Sequence, residues 1–218
     1  MGHSAIKTIL LAGAVFAVGS ANAAVLYDNG PCNCQAQALP VYTHSYYVGD
    51  TFVLGSGATA TGVEFVAWNS PSTDTTASVE WSIWNGGIVG PAGQLGALIA
   101  SGTSTVSNAF LLNNTSGYGV YSDTFAIPGT PLAAGEYTLV LANALTSPPG
   151  DIVRWDVNNG PSTAYFYNGF AAGYVGSESF EILGNGAGGV PEPGAWSLML
   201  SGLGFLGYAL RRRVLRIA

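Results

Sequence analysis

Leu132-Ala-Ala-Gly-Glu-Tyr-Thr-Leu-Val-Leu-Ala142 decides the fold. Gly135 ends a tight turn, and strict alternation then sends Tyr137, Leu139 and Leu141 to one side of an extended chain. That period of two is the signature of a strand with one buried face. The same signal recurs outward in both directions. Val, Ile, Thr and aromatic residues form short alternating runs near 50–54, 59–68, 76–84, 97–105, 119–127, 136–143, 151–157, 163–168 and 177–183, separated by Gly, Pro, Asn and Ser clusters. No stretch between these runs carries an amphipathic helical pattern. About nine strands in about 160 residues predict an all-β domain of two antiparallel sheets packed face to face, a jelly-roll-like β-sandwich. No internal repeat is present, which argues against a solenoid.

Two of these strands carry a matching pattern on their outward faces. In Val63-Glu-Phe-Val-Ala-Trp68 and Val79-Glu-Trp-Ser-Ile-Trp84, the residues Val63, Phe65 and Ala67, and likewise Val79, Trp81 and Ile83, point one way. Glu64 with Trp68, and Glu80 with Trp84, point the other way. Carboxylates accept from sugar hydroxyls and indole faces stack on sugar C–H faces, so these four residues are the candidate glycan-binding set. The competing reading has Trp68 and Trp84 capping the core at strand ends while the glutamates face water. Glu64 and Glu80 are also the only pair suggesting a glycosidase, which needs two carboxyl groups roughly 5 to 10 Å apart across one cleft. Nothing else points to catalysis. His44 is the single histidine beyond the first few residues, no Gly-x-Ser-x-Gly elbow occurs in the domain, and neither cysteine has a base beside it.

Cys32-Asn-Cys34 admits three readings: a disulfide across one intervening residue, free or intermolecular thiols, and metal ligation together with His44. The expectation is a disulfide, with no metal site. Asp156-Val-Asn-Asn-Gly160 has the composition of a calcium loop without its spacing, and a turn is the simpler reading. Calcium at an acidic loop stays open as a cofactor; otherwise none is expected.

Charge narrows the partners. Arg154 is the single Lys or Arg between residues 24 and 190, against eleven Asp and Glu, which leaves that region at a net charge of −10. Nucleic acid is excluded as a partner, because phosphate binding needs clustered basic residues. Solubility outside the cell accounts for the charge; affinity for cations or cationic polymers is the sharper alternative.

The two ends read as targeting segments. Lys7, the apolar run Ile9 to Val18 and Ala21-Asn-Ala23 have the layout of a signal peptide over 1–23, cut by signal peptidase after Ala23. That leaves a folded domain over 24–183 and a Gly-rich linker over 184–190. At the other end, Val190, Pro191, Glu192 and Pro193 precede an uncharged stretch over 195–210, and Arg211, Arg212 and Arg213 follow it. As a helix that stretch would be roughly 24 Å long, short of the ~30 Å hydrocarbon core, with Trp196 and Tyr208 near its interfaces and the arginines cytoplasmic. The tail over 191–218 resembles the PEP-CTERM sorting signal of Gram-negative bacteria.

That resemblance implies a chain exported across the inner membrane, anchored transiently by its C-terminal helix, and processed by exosortase before it reaches the surface or the medium. PEP-CTERM systems accompany exopolysaccharide production. The resemblance therefore further implies a structural or glycan-associated component of a biofilm or extracellular matrix, with extracellular polysaccharide as partner. A secreted carbohydrate-active enzyme is the alternative, and a self-associating structural protein a third.

Overall fold

The computed structural model describes residues 23–41, 46–90, 93–167 and 172–186. The expected signal helix over 1–23, apart from its last residue, lies outside the described residues. So do the sorting-signal helix over 195–210 and the end of the linker.

The described residues form fourteen strands: β1 (Ala24–Asp28), β2 (Ala38–Pro40), β3 (Tyr47–Leu54), β4 (Ala58–Asn69), β5 (Thr75–Asn85), β6 (Leu98–Thr105), β7 (Ser107–Asn113), β8 (Gly119–Leu132), β9 (Gly135–Ser147), β10 (Arg154–Asn158), β11 (Ala164–Tyr167), β12 (Ala172–Val175), β13 (Ser177–Glu178) and β14 (Phe180–Gly186). Among the described residues there is no helix. Eight of the nine expected strands are present as single strands, the ninth, 177–183, is divided into β13 and β14 with different partners, and β8 and β9 run several residues beyond their expected ends. β1, β2, β7 and β12 are additions. β7, Ser-Asn-Ala-Phe-Leu-Leu-Asn, has four apolar residues in succession and no alternation, so its sequence carries no strand period.

The strands form two antiparallel sheets. The first is built on the long strand β4. One edge of β4 pairs with β8, which in turn pairs with β7; the other edge pairs first with β14 and then with β10. β1 lies beyond β14, and β2 and β13 pair with β10. The second sheet has the order β12-β11-β3-β9-β5-β6.

One core lies between the two sheets. The second sheet contributes Val48, Phe52 and Leu54, Val79, Trp81 and Ile83, and Tyr137, Leu139 and Leu141; the first contributes Val63, Phe65, Ala67, Phe125, Trp155, Phe180 and Ile182. The inward faces expected for the three diagnostic strands are therefore buried. Phe65, Trp155 and Phe180 meet edge to face at 5.6 to 6.3 Å, the arrangement that ring quadrupoles favour.

The interior also holds an unusual share of carboxyl groups. Asp50, Asp123, Asp156 and Glu178 are all fully buried. Asn29 ties part of this set together, its Nδ2 donating to Asp50 Oδ2, Ser162 Oγ, Ser177 Oγ and the Glu178 carbonyl. Asp50 also accepts from the backbone N–H groups of Thr51 and Glu178. Among the described residues, both oxygens of Glu178 lack a hydrogen-bond partner.

Candidate functional site

β5 lies one strand in from the β6 edge of the second sheet, and its alternation places Glu80, Ser82 and Trp84 on the sheet's outer face. Register extends this face across its neighbours. Glu80 is opposite Thr103 on β6 and Ala142 on β9, Ala142 is opposite Tyr47 on β3, and Tyr47 is opposite Tyr167 on β11. The row therefore crosses five strands, roughly 19 Å at about 4.8 Å per strand. The next row runs Ser101, Ser82, Val140, Gly49.

Small side chains make the floor of this face and rings stand at its sides. Two adjoining depressions of about 380 and 350 Å³ share Glu80, Ser82, Trp84, Val140 and Ala142; Leu98, Ser101 and Thr103 are among the further residues lining one, and Tyr47 and Leu95 complete the other. Trp84 is half-buried, its Nε1 donating to Ser82 Oγ at 2.8 Å, which fixes the plane of the indole. Tyr47 and Tyr167 stack at 5.3 Å on the far side, and Tyr167 is 37% exposed. Glu80 accepts a hydrogen bond from Asn143 Nδ2 at 2.9 Å. Asn143 takes a left-handed backbone, φ 45°, a conformation that Asn tolerates better than most residues. The result is a shallow open groove with flat apolar walls and a line of hydroxyl and carboxylate groups.

The outer face of the first sheet is different. Glu64 is opposite Glu181 on β14, and Glu181 is opposite Asp28 on β1. Ser122 Oγ donates to Glu64 at 2.5 Å. Burial, followed by the charges of Glu64 and Asp28, pushes the Glu181 carboxyl up. A depression of about 300 Å³ lies over these acids between Pro31, Val66 and Leu111.

The four candidate glycan-binding residues are thus divided between the two outer faces and a buried position. Glu80 and Trp84 share the groove. Trp68 does not point to solvent: it is 4% exposed, packed with Cys34, Val66 and Val120, covered by Tyr118, and its Nε1 donates to Asp156 Oδ1 at 2.8 Å. For this indole the core-capping alternative is the correct one. Glu64 and Glu80 lie on the outer faces of opposite sheets, about a sandwich thickness apart, and do not flank one cleft. Tyr47, Tyr167, Val140, Ala142 and Asn143 were missed by the sequence reading. The alternation that buries Tyr137, Leu139 and Leu141 sends Val140 and Ala142 outward, but only the pairing register brings them beside Glu80.

Cys32 and Cys34 form a disulfide, Cα to Cα 5.1 Å. Asp156 holds the loop they close, its Oδ2 accepting from the Asn33 N–H and its Oδ1 from the Cys34 N–H. Burial pushes the Asp156 carboxyl up to about 6 against the pull of these N–H donors and of Trp68. Asn158 Nδ2 donates to the carbonyls of Asn29, Gly30 and Pro31, and its Oδ1 accepts from the Gly160 N–H. The calcium-like segment Asp156–Gly160 therefore fastens the N-terminal segment to the first sheet. Among the described residues no three Asp, Glu, His or Cys side chains converge as a metal cage; His44 lies outside them.

The tail supplies the class: an exported protein carrying a C-terminal sorting signal. Residues 189–213 match the PEP-CTERM protein-sorting motif, the signal processed by exosortase. Val190, Pro191, Glu192, Pro193, Arg211, Arg212 and Arg213 all fall inside this match, and all lie outside the described residues. The match covers the tail and not the folded domain. No curated protein matches the chain.

Proposed function

We propose that this exosortase-sorted protein is a glycan-associated component of an extracellular matrix or biofilm, and that the outer face of its second sheet contacts polysaccharide. The observation that carries this reading is the groove itself. Trp84 and the Tyr47–Tyr167 pair wall a floor of Val140 and Ala142, while Glu80, Ser82, Ser101 and Thr103 offer acceptors and hydroxyls along it. A polymer of sugar rings presents C–H faces for the rings and hydroxyls for the polar line, and an open groove admits a chain with no free end. The transient anchor in the inner membrane of a Gram-negative host belongs to the same proposal, as does the absence of a catalytic role.

The test is Trp84→Ala, read on two scales. Loss of one large aromatic anchor costs on the order of 2 kcal/mol, about thirtyfold in retention on the host's own exopolysaccharide. Because the indole is half-exposed and stands on the outer face, the melting temperature should change little. A strongly destabilised variant, or a stable one with unchanged retention, refutes the assignment of this face to glycan.

A further inference from the structure

We infer that this domain pairs edge to edge with a second copy of itself, through residues 98–113, a run that forms the outer strand of both sheets in turn. The inference does not depend on what the groove binds. β6 leaves the second sheet at Thr105, the Val106 N–H donates to the Ala77 carbonyl at the crossing, and β7 takes up the edge of the first sheet from Ser107. Among the described residues β6 pairs with β5 alone and β7 with β8 alone, so each leaves one side of its backbone without a ladder. Four large apolar side chains of the run, Leu98, Ile99, Phe110 and Leu111, are between 39% and 56% exposed. Exposed edges of this kind are ordinarily guarded by lysine, proline or an inward-pointing charge. Here residues 81–122 contain no Asp, Glu, Lys, Arg or His, and residues 98–113 contain no proline. The guards present are two shifts of register, at Ile99 and at Leu111, which leave residues 100–105 as a straight length of edge.

The occupant of this edge follows from the charge. Residues 24–190 carry a net charge of −10, so two copies repel wherever their carboxylates face one another. The β1 edge of the first sheet carries Asp28 opposite Glu181. The strands that flank the 98–113 run carry one acid each: Glu80 on β5 lies on the groove face, and Asp123 on β8 is fully buried. A basic partner would be drawn to the acidic faces and finds no charge to hold it at this edge. A second copy, equally acidic, approaches without repulsion here. Identical strands meeting antiparallel across a two-fold axis satisfy one another's N–H and C=O groups with no further sequence requirement. Joined at β6, the two second sheets become one continuous sheet with both grooves on the same face, so that a single polymer can engage the two together.

The experiment is sedimentation equilibrium of the full chain in density-matched mild detergent, over a range of concentrations and at two salt levels. The expected result is a monomer–dimer equilibrium that tightens as NaCl rises from about 20 to about 500 mM, because salt screens the repulsion between two acidic bodies joined by an uncharged edge. Ile99→Glu and Phe110→Glu each put a carboxylate on both sides of the two-fold contact, and each should raise the dimer dissociation constant about tenfold or more. Val25→Glu, on the β1 edge and as exposed as Phe110, should leave it unchanged. Thermal melts followed by circular dichroism check that each variant folds. If Phe110→Glu, which gives up an edge-to-face contact with Tyr121, fails to fold, Ile99→Glu decides. A chain that stays monomeric at every concentration, a dimer that loosens with salt, or an equal loss from Val25→Glu overturns the inference. So does a dimer untouched by both edge variants, the result that association through the tail would give.

Discussion

Asp123 gives the sharpest test of how this interior is held. Its carboxyl lies on β8 between the sheets and is fully buried. Burial, partly offset by the Thr76 hydroxyl, pushes its pKa from 3.8 up to about 7. Folding then takes up a proton at any pH between those two values, because the unfolded chain has released it and the native chain keeps it. Stability from this group is complete below about 4, falls as pH rises through about 7, and is flat above. Between about pH 5 and about pH 8 the loss is about 2.5 kcal/mol, taking 1.36 kcal/mol per pKa unit over the roughly two units traversed. That is a large part of the 5–15 kcal/mol typical of a domain. Asp50 and Asp156, each pushed up to about 6, and Glu178, pushed well above its ordinary value, bend the curve the same way. They contribute equally to a wild type and an Asp123→Asn variant. Urea unfolding of both proteins at about pH 5 and about pH 8 therefore isolates Asp123: the wild type should lose about 2.5 kcal/mol more than the variant. Parallel slopes would show that this carboxyl is ionised in the native state and refute the argument.

Two further expectations follow from other parts of the chain. Truncating Trp68→Ala should cost roughly 3 to 5 kcal/mol of folding stability, seen in a denaturant melt, because it empties a buried site and leaves Asp156 Oδ1 short of one donor; a cost near zero would place the indole at the surface. Replacing Pro191, Glu192 and Pro193 with alanine should leave an unprocessed, membrane-bound chain by fractionation and intact mass, and processing at the normal rate would count against recognition of the motif.

The sequence read well wherever one residue's neighbours along the chain determined its face. Tyr137, Leu139 and Leu141, Phe65 and Trp81 are buried because alternation put them there, and Glu80 and Trp84 face out for the same reason. It read poorly wherever the face was decided by a distant segment. Trp68 alternates outward like Trp84, and what buries it is Tyr118 together with the Cys32–Cys34 loop, anchored through Asp156. Nothing local to Val63–Trp68 announces that cover. The groove's second wall has the same origin: Tyr47 reaches Glu80's row only through β9, and period two leaves the choice of partner and register open. β2 was missed because three residues are too few to show a period, and β1 because it begins where the signal peptide is expected to end.

The order of the first sheet has a consequence for export. β14, the last strand of the domain, does not lie at an edge; it is inserted between β1 and β4, so that Ala24 is opposite Gly184 and Glu64 is opposite Glu181. A chain delivered across a membrane N-terminus first presents β1 and β4 long before β14 exists on the far side. Until residue 186 has emerged, the sheet lacks the strand between β1 and β4, and β1 is without the strand it pairs with among the described residues. Phe180 and Ile182 are missing from the core over the same interval. The domain's cooperative closure is thereby tied to the arrival of its own C-terminus, immediately before the sorting motif follows. A slow or stalled translocation leaves an open, pliable chain, and a finished one locks within the same few residues that bring the processing signal to the membrane.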